Sequence, residues 1–600
     1  MTLRPDGGFE YTSFDYAGNE SGLYPRRIVF PEVVVPRTAK TALFRPRFAG
    51  DILRPDWSKM KRGQRVCSLG MIFKVFNCMA ALEEGGVSHF FDQRGDARLH
   101  AAAFEVTTGS APDTLVLRNI WLPPVSEETR KAGSLPYTGV YAPYRGGWYE
   151  AAKMHRAWME TQPWFKAAAA RDFSKLREID MWMWSRGNIA VSEPPVHWFM
   201  KETGLKVALD WYWWHNVPYD TSYPFFWPPR EPEADFRATV KRLRDKGAYV
   251  QTYTNGMLWD RLDRRWSAEG ENENLVRRDG SPVKQVFNPY TGADTGWMCG
   301  NAPTFHSHLR KVEKTLAGCG LNGVYMDMIA NCGYGTCWSD RHGHAPGGGK
   351  AVAEGYAKFV AQVRADNPGL QLSSEEEGEA FLELFDSLIV LYGGFERLGV
   401  GVGPEFDMPP IFQAIFHGTV AMFGSYAVID GITPWDEKWG VRPAIDEAKW
   451  AGRFPDQFAC ELARGVAWGV QPCVHKVTME QMTAPKWAED WRFTVDTARF
   501  YHANREFLFD GEMAAPGRMK CATQAVDFFR RGCYTKEKDF KTCRQPALPT
   551  VFHTVWRSPA GRVAAVLVNW TRHPQKYSLS APDISGNGEI PPLSWRLLTR

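Results

Sequence analysis

VALDWYWWHN at residues 207–216 and GVYMDMI at residues 323–329 are the stretches that decide the fold. Both are short apolar runs rich in Val, Ile and aromatic residues, which is typical of buried strands. Eight such runs follow one another: Ile179–Trp184, Val207–Trp214, Ala248–Tyr253, Gly323–Ile329, Leu370–Ser373, Ser387–Tyr392, Gly424–Ile429 and Gly465–Val470. Helix-like segments lie between them, among them Ala234–Lys246, Thr304–Ala317, Ala351–Ala365, Ile411–Met422 and Asp446–Arg464. This alternation predicts an α/β protein with a central (β/α)8 TIM barrel.

The chain on either side of these runs has a different pattern. Residues 1–145 alternate Val-, Ile-, Phe- and Leu-rich runs with Gly, Pro and Asp, which predicts a β-sandwich-like N-terminal domain. Apolar residues at helical spacing in Trp148–Pro163 predict a helical linker over 146–177. The barrel would then span 178–514. Strand-like runs at Thr550–Arg557, Arg562–Trp570 and Leu593–Leu598 predict a small C-terminal β domain over 515–600.

Composition excludes several classes of protein. Apolar residues make up 44% and charged residues 23%, so the chain is an ordinary globular one. The 72 Lys and Arg against 68 Asp and Glu leave a net charge of +4, too small for a nucleic-acid-binding surface. No run of 18 apolar residues predicts a membrane span. The 25 Trp suit either a dense core or the flat faces that bind sugar rings.

The N-terminal residues and the cysteines indicate the location of the protein only weakly. Met1–Pro25 contains charged residues and no apolar core of a signal peptide, so we expect a soluble chain without an export signal in these residues. A signal removed before this numbering begins would make it periplasmic or secreted. The 11 cysteines include no CxxC pair and are expected to be reduced and buried. Oligomeric state is not predicted.

Two acidic positions lie where barrel enzymes carry their chemistry, at the carboxyl ends of strands. Asp327 is the only carboxylate of the fourth run, and Glu375 is the first acid after the fifth. Two carboxyl groups on neighbouring strands suit the cleavage of a glycosidic bond, one as nucleophile and the other as acid/base. A salt bridge for Asp327 and a solvated helix start for the acidic run of Glu375, Glu376, Glu377 and Glu379 are the alternatives. Retaining and inverting mechanisms both remain open.

Other residues at the strand ends are expected to line a sugar site. The expected substrate-binding residues are Trp184, Asp210, Trp211, Trp213, His215, Tyr253, Asn255 and Trp259, with Trp182 and Trp214 as further stacking platforms. Asp210 has a second interpretation, because a carboxylate within an apolar run can also form a structural ion pair.

The loop after the fourth run, CGYGTCWSDRHGHAPGGG, is also rich in polar residues. His342 and His344, with Cys337 and Asp340, allow a metal site, but no third His lies nearby in the sequence. We expect the two histidines to donate to substrate hydroxyls, and we predict no metal and no cofactor. Structural use of the loop is the other alternative.

Six motifs in order resemble one known family. They are WYEAAKMHRAWMETQPW (148–164), DWYWWHNVPYDTSYPFFWPP (210–229), YTNGMLWD (253–260), GVYMDMIANC (323–332), DRHGHAPGGG (340–349) and SSEEEGEAFLELFD (373–386). The resemblance is to a bacterial family of glycoside-hydrolase-like barrels known as a domain of unknown function. That family is similar in layout to endo-α-N-acetylgalactosaminidases and α-galactosidases.

The resemblance implies roles for individual residues. Asp327 would be the nucleophile, Glu375 the acid/base and Glu379 a second acid of the same motif. The acidic pair Glu376–Glu377 departs from the family pattern, which leaves the choice among the four glutamates open. The His-Gly-His loop would line the pocket together with Asp210, His215 and Asn255. Flanking β domains before and after the barrel are implied as well.

The sequence therefore favours a retaining glycoside hydrolase that acts on an α-linked galactose-type sugar in an oligo- or polysaccharide. A barrel that binds carbohydrate without cleaving it is the first alternative. A metal-dependent hydrolase that uses His342 and His344 is the second. Neither nucleic acid nor membrane is expected as a partner.

Overall fold

A parallel β-barrel forms the centre of the molecule in the computed structural model. The structure describes residues 1–600 except 4–6, 12–13, 71–73, 289, 377, 392–404, 425–426, 431–453 and 531–540. The barrel strands are β1 (Met181–Ser185), β2 (Val207–Trp211), β3 (Tyr249–Asn255), β4 (Gly323–Asp327), β5 (Gln371–Glu375), β6 (Ser387–Ile389), β7 (Ala421–Phe423) and β8 (Cys473–His475). They pair in chain order, β8 pairs with β1, and a parallel bridge from Phe423 to Gln471 links β7 to the start of β8. The predicted barrel is confirmed.

Helices connect most of these strands. Within the described residues they are Ile189–Thr203, Glu233–Asp245, Pro303–Gly318, Ile329–Cys332, Ala351–Asp366, Ile411–Phe416, Gln457–Ala467, Met479–Thr483, Ala488–Ala503 and Arg505–Leu508. Between β5 and β6 lies a short 3₁₀ turn, Glu379–Phe381, and another turn, Pro485–Trp487, follows β8. The predicted linker contains the helices Trp148–Met159, Pro163–Ala169 and Ser174–Arg177.

The last two barrel strands lie elsewhere than predicted. The segment predicted as the eighth strand, Gly465–Val470, overlaps the end of the helix Gln457–Ala467, and β8 starts only at Cys473. The predicted helix Asp446–Arg464 continues to Ala467, and the run GVAWGV that follows Arg464 contains no polar residue, so it cannot be told from a strand by periodicity. The predicted seventh strand, Gly424–Ile429, lies just after the observed β7, and its residues 425–426 are outside the described part.

The seventh strand was misplaced because the preceding helix is shorter than its apolar pattern suggests. That helix ends at Phe416 rather than Met422. Gly418 then adopts a left-handed φ of +87°, which glycine tolerates, and the chain enters β7 at Ala421.

Two antiparallel sheets precede the barrel and pack face to face. One contains Thr2–Leu3, Phe9–Tyr11, Tyr137–Tyr144, Ser88–Gly95, Cys78–Leu82, Ala42–Arg45, Asp51–Leu53 and, from far along the chain, Phe406–Asp407. The other contains Ile28–Pro36, Thr114–Trp121, Ala102–Thr108 and Arg65–Leu69. A shared core of buried side chains, including Val35, Leu43 and Phe104, makes the pair a β-sandwich. Smaller elements are the strand pair Asp15–Ala17 and Ala132–Ser134, the helix Glu127–Lys131 and the turns Trp57–Lys59 and Asp96–Arg98.

A second group of antiparallel strands follows the barrel, as predicted. One sheet contains Glu512–Ala514, Val551–Arg557, Val563–Asn569 and Ser594–Thr599, and another contains Arg518–Cys521, Gln575–Ser580 and Ser585–Ile590. A third pairs Thr523–Arg530 with Lys541–Pro549. No helix in the described part of the chain is both long and apolar enough to cross a bilayer.

An insertion between β3 and the helix Pro303–Gly318 was not predicted. It contains a small antiparallel sheet of Leu258–Asp260, Thr295–Trp297 and Lys284–Gln285, and the helical turns Trp266–Gly270 and Glu271–Glu273. Because it leaves the carboxyl end of β3, it adds to the rim where the βα loops converge.

Candidate active site

Asp327, the last residue of β4, is held by three hydrogen-bond donors. The Tyr325 hydroxyl donates to Oδ1 over 3.0 Å, and the Tyr253 hydroxyl and Asn255 Nδ2 donate to Oδ2 over 3.0 and 3.1 Å. Residues two apart on a strand face the same side, so Tyr325 lies beneath Asp327. Strand β3 pairs in register with β4, placing Tyr253 opposite Tyr325 and Asn255 opposite Asp327.

Glu375, the last residue of β5, lies against Asp327. The Glu375 carboxyl group is a side-chain neighbour of Asp327. Burial raises the pKa of Asp327, and the hydrogen bonds from Tyr325 and Tyr253 and the contact with Glu375 oppose that rise.

Exposure separates Glu375 from the other acids of its run. Asp327 and Glu375 are partly exposed, whereas Glu376 and Glu379 are buried. Glu377 lies outside the described residues. Of the described glutamates in this run, Glu375 alone combines partial exposure with contact to Asp327.

The backbone turns sharply immediately after each of these acids. Met328 and Glu376 have φ values of 71° and 60°, in the left-handed region that non-glycine residues rarely adopt. Such strain persists only where the surrounding structure imposes it, and it is concentrated at functional sites.

Asp210 of β2 lies deeper in the barrel and is fully buried. Gln251 Nε2 of β3 donates to its Oδ1 over 3.0 Å. Burial raises the pKa of Asp210 to about 8, against the opposing effects of the Gln251 hydrogen bond and the Arg186 charge. The group is therefore a neutral carboxylic acid at pH 7, able to donate as well as accept a hydrogen bond.

A cage of aromatic rings surrounds the guanidinium of Arg186, just beyond β1. Its Cζ lies 4.8 Å from the ring centre of Trp184, 5.2 Å from Tyr212, 5.8 Å from Trp213 and 5.3 Å from Tyr219. The Tyr212 ring also stacks on Tyr253, with centroids 4.6 Å apart. The cage thus joins β1 and β2 to the donors around Asp327.

Sequence reasoning did not include Arg186, Tyr212, Tyr219 or Tyr325 among the site residues. For Tyr212 and Tyr325 the signal was available, because each lies two residues from a selected aspartate, Asp210 or Asp327, on the same face of the chain. Arg186 and Tyr219 lie in loops, where no such spacing applies.

Trp211 and Trp259 lie apart from Asp327 and from the aromatic cage around Arg186. Trp211 packs on Phe236 of an outer helix, with its Nε1 donating to the Gly187 carbonyl. Successive strand residues face opposite sides, so Trp211 points away when Asp210 points inward. Trp259 is buried in the insertion against Phe305 and other aromatic rings.

The remaining tryptophans and His215 have core contacts as well. Trp182 stacks on Phe423 across the barrel interior, and Trp214 donates to the Tyr253 carbonyl from the outer side. His215 is buried beside Tyr219 at the end of β2, with Nδ1 2.8 Å from the Val217 carbonyl oxygen.

Glu379 contacts the β-sandwich rather than the residues around Asp327. Its Oε2 accepts from the Asn77 backbone N–H over 2.9 Å and lies 3.1 Å from His155 Nε2. His155 Nδ1 in turn lies 3.1 Å from Asp92 Oδ1. Burial lowers the pKa of His155, but the neighbouring anionic groups raise it well above its usual value. Glu379 therefore joins the sandwich, the linker helix and the barrel.

His342 and His344 lie in a cluster with two cysteines. One ligand atom from each of Cys299, Cys337, His342 and His344 lies within 4.8 Å of all the others. Asp340, the other ligand that the sequence suggested, is exposed and lies outside this group. The structure thus places two thiols beside these histidines, whereas the sequence predicted that the histidines donate to substrate hydroxyls.

The fold and this site define a (β/α)8 barrel with paired acids at the ends of adjacent strands. Residues 134–427 match the family model of a domain of unknown function, DUF6259. The predicted resemblance is confirmed by this match and by the structural neighbours described next.

Two curated relatives share part of the chain. One, from Bacteroides thetaiotaomicron, is 27% identical over 319 residues, covering 52% of this chain and 45% of that protein. The other, from Monosiga brevicollis, is 24% identical over 338 residues, covering 48% and 27%. Both are provisionally named glycoside hydrolases. The matched region spans less than half the length of either relative.

Several solved structures with this architecture are glycosidases of low sequence identity. An α-N-acetylgalactosaminidase from Bifidobacterium bifidum, solved with Gal-NHAc-DNJ, has a TM-score of 0.63 at 13% identity, covering 96% of this chain and 85% of that chain. An α-galactosidase from Geobacillus stearothermophilus, solved with 1-deoxygalactonojirimycin, has a TM-score of 0.55 at 9% identity, covering 95% and 75%. These likenesses establish the shared fold.

Proposed function

We propose that this protein is a retaining glycoside hydrolase that cleaves an α-linked galactose-type sugar, with Asp327 as nucleophile and Glu375 as acid/base. The observation that carries the proposal is the contact between these two partly exposed carboxyl groups at the ends of β4 and β5. The provisional glycoside hydrolase names of the relatives and the α-N-acetylgalactosaminidase and α-galactosidase among the structural neighbours support the reaction class.

The donors around Asp327 favour its role as nucleophile. Three hydrogen bonds stabilise the ionised carboxylate and hold its oxygens in place. In this role Glu375 carries the proton, which is the form that protonates a leaving oxygen. In the second step Glu375, now ionised, takes a proton from the attacking water.

The placement of the two acids at the ends of adjacent strands favours retention over inversion. Retaining enzymes hold the two carboxyl groups about 5–5.5 Å apart, whereas inverting enzymes need about 6.5–9.5 Å to admit a water molecule. Neighbouring strands lie about 4.8 Å apart, which is close to the shorter of these distances.

Buried residues behind the acids support the proposed site. Trp184 and Tyr212 are aromatic rings of the cage around Arg186, and neutral Asp210 is a buried group able to donate and to accept a hydrogen bond. The proposal of a galactose-type substrate rests on the structural neighbours, which were solved with GalNAc and galactose-like ligands.

Substitution of the two acids tests the proposal on aryl α-galactosides and aryl α-N-acetylgalactosaminides. Asp327→Asn should lose about a thousandfold or more of kcat with an unchanged melting temperature. Glu375→Gln should slow substrates with poor leaving groups most, and azide should restore its rate while forming the α-glycosyl azide. Asp340→Asn, which changes an exposed acid of the same rim, should keep wild-type activity.

Two outcomes would overturn the assignment. Full activity of Asp327→Asn would show that Asp327 is not the nucleophile. Detection by NMR of the β-anomer as the first product would exclude a retaining mechanism. Binding on a glycan array without turnover of any glycoside would favour the carbohydrate-binding alternative.

A further inference from the structure

The cluster of Cys299, Cys337, His342 and His344 plays no part in the proposed hydrolysis. Cys299 comes from the insertion after β3, and the other three come from the loop after β4. Both cysteines and His342 are buried, and His344 is partly exposed. Two thiols and two imidazoles from separate segments meet at one point, and this donor set is the one that structural zinc sites use.

Distances within the cluster fit a single tetrahedral ion. Cys337 Sγ lies 3.3 Å from His342 Nδ1, and Cys299 Sγ lies 3.4 Å from His344 Nε2. Zn–S bonds of about 2.3 Å and Zn–N bonds of about 2.0–2.1 Å at a tetrahedral angle put sulfur and nitrogen about 3.5 Å apart. All four ligand atoms lie within 4.8 Å of one another.

The remaining nitrogen of each histidine orients its ring. His342 Nε2 lies 2.8 Å from the Asn272 carbonyl oxygen, and His344 Nδ1 lies 2.9 Å from the Ala345 carbonyl oxygen. A carbonyl oxygen only accepts, so each of these nitrogens carries the hydrogen. The other nitrogen of each neutral ring, the one facing a thiol, is then a lone-pair donor. Metal-binding histidines are held by backbone carbonyls in this manner.

We propose that Cys299, Cys337, His342 and His344 bind one Zn²⁺ ion as a structural site. Two thiolates neutralise the charge of the ion, which suits a buried position. Four protein ligands complete the tetrahedron and leave no position for water or substrate, so the ion serves structure rather than hydrolysis.

The ion would fasten two rim loops to each other beside the candidate active site. The loop after β4 begins next to Asp327 and also contacts the β-sandwich, where the Gly348 backbone N–H donates to the Pro123 carbonyl over 3.1 Å. Through Cys299 the same ion would hold the insertion after β3, the strand that carries Tyr253 and Asn255. Zinc would thereby stabilise the arrangement of β3 and β4 loops around the acids.

Metal analysis of the full chain, purified without chelator, tests the site directly. We expect about one zinc per chain, lost in Cys299→Ser and in His344→Ala. Cys319→Ser and His308→Ala, which alter a cysteine and a histidine outside the cluster, should retain it. Replacement by Co²⁺ should give thiolate-to-cobalt charge transfer and the strong visible absorption of tetrahedral cobalt. This spectrum needs only the wild-type chain, so it is informative even if a variant does not fold.

The melting temperature and the oxidation state of the two cysteines provide further tests of the zinc site. Chelation should lower the melting temperature of the wild type and leave that of zinc-free Cys299→Ser unchanged, since only a bound ion adds stability to the folded state. A metal-free wild type, octahedral cobalt spectra, or a Cys299–Cys337 disulfide found by mass spectrometry in place of metal would overturn the proposal.

Discussion

Individual side chains reach the candidate site according to the alternation of the strands. Asp210 and Asp327 face the barrel interior, while Trp211, adjacent to Asp210, packs outward under a helix. The interior of the barrel imposes a low dielectric on its acids, so their protonation differs from that of surface groups. Asp210 shows this most clearly, since its pKa of about 8 keeps it neutral at pH 7.

Asp210→Asn should change how stability depends on pH. An aspartate in the unfolded chain ionises near pH 3.9, but burial holds the pKa of folded Asp210 at about 8. Between these values the unfolded state releases a proton that the folded state keeps, so rising pH destabilises the wild type by up to about 1.4 kcal/mol per pH unit through this group. The asparagine variant lacks this effect.

The melting temperature of Asp210→Asn should therefore rise relative to wild type from pH 5 to 8 and level off above pH 8. Scanning calorimetry across this range measures it, with the exposed Asp340→Asn as control. A difference from wild type that stays constant with pH would show that Asp210 is ionised throughout.

Elements pack closely where the two acids leave their strands. Gly378 follows the glutamate run, and a Cβ built on it would lie 2.0 Å from the Ala330 carbonyl oxygen. Ala330 belongs to the helical turn Ile329–Cys332 immediately after β4. The backbones that follow Glu375 and Asp327 are thus in direct contact, and this contact helps to set the distance between the acids.

Gly378→Ala should push these two segments apart. A displacement of about 1 Å in a catalytic pair costs about a hundredfold in rate, so we expect kcat/KM on aryl α-galactosides to fall by about 10- to 100-fold. Gly318→Ala is the matched control, because a Cβ there meets no atom within 4 Å. Wild-type kinetics in Gly378→Ala would mean that the contact does not position the acids.

At the scale of the whole molecule, a buried ion cluster connects the sandwich to the barrel. His155 of the linker helix lies between Asp92 of the sandwich and Glu379 of the barrel, and all three side chains are buried. Removing the central cation leaves two buried carboxylates next to each other, with Arg94, whose Nε donates to Asp92 Oδ2 over 2.9 Å, as the remaining partner of Asp92.

His155→Ala should therefore destabilise the protein by about 3–5 kcal/mol, seen as a lower melting temperature. His197→Ala, which removes a partly exposed histidine paired with Glu193 on an outer helix, should have a much smaller effect. Equal losses in the two variants would indicate that the sandwich and the barrel do not depend on this cluster.

The local sequence pattern was sufficient to predict much of the fold of this protein. Hydrophobic periodicity predicted the barrel and located its first six strands to within a few residues, because strand and helix periods are properties of neighbouring residues. The rule that barrel enzymes place their acids at strand ends then selected Asp327 and Glu375, which the structure brings into contact. The domain boundaries and the roles of these residues remain predictions.

Only the tertiary structure decided what depends on distant segments. The run Gly465–Val470 resembled a strand because a short, wholly apolar run carries no periodic signal, although its first three residues end the helix Gln457–Ala467. Glu379 contacts His155 and through it the sandwich, and Cys299 of the insertion lies next to the two histidines of the His-Gly-His loop. Sequence spacing does not predict such contacts between distant segments. The path of the folded chain, and not the order of its residues, determines which side chains come together.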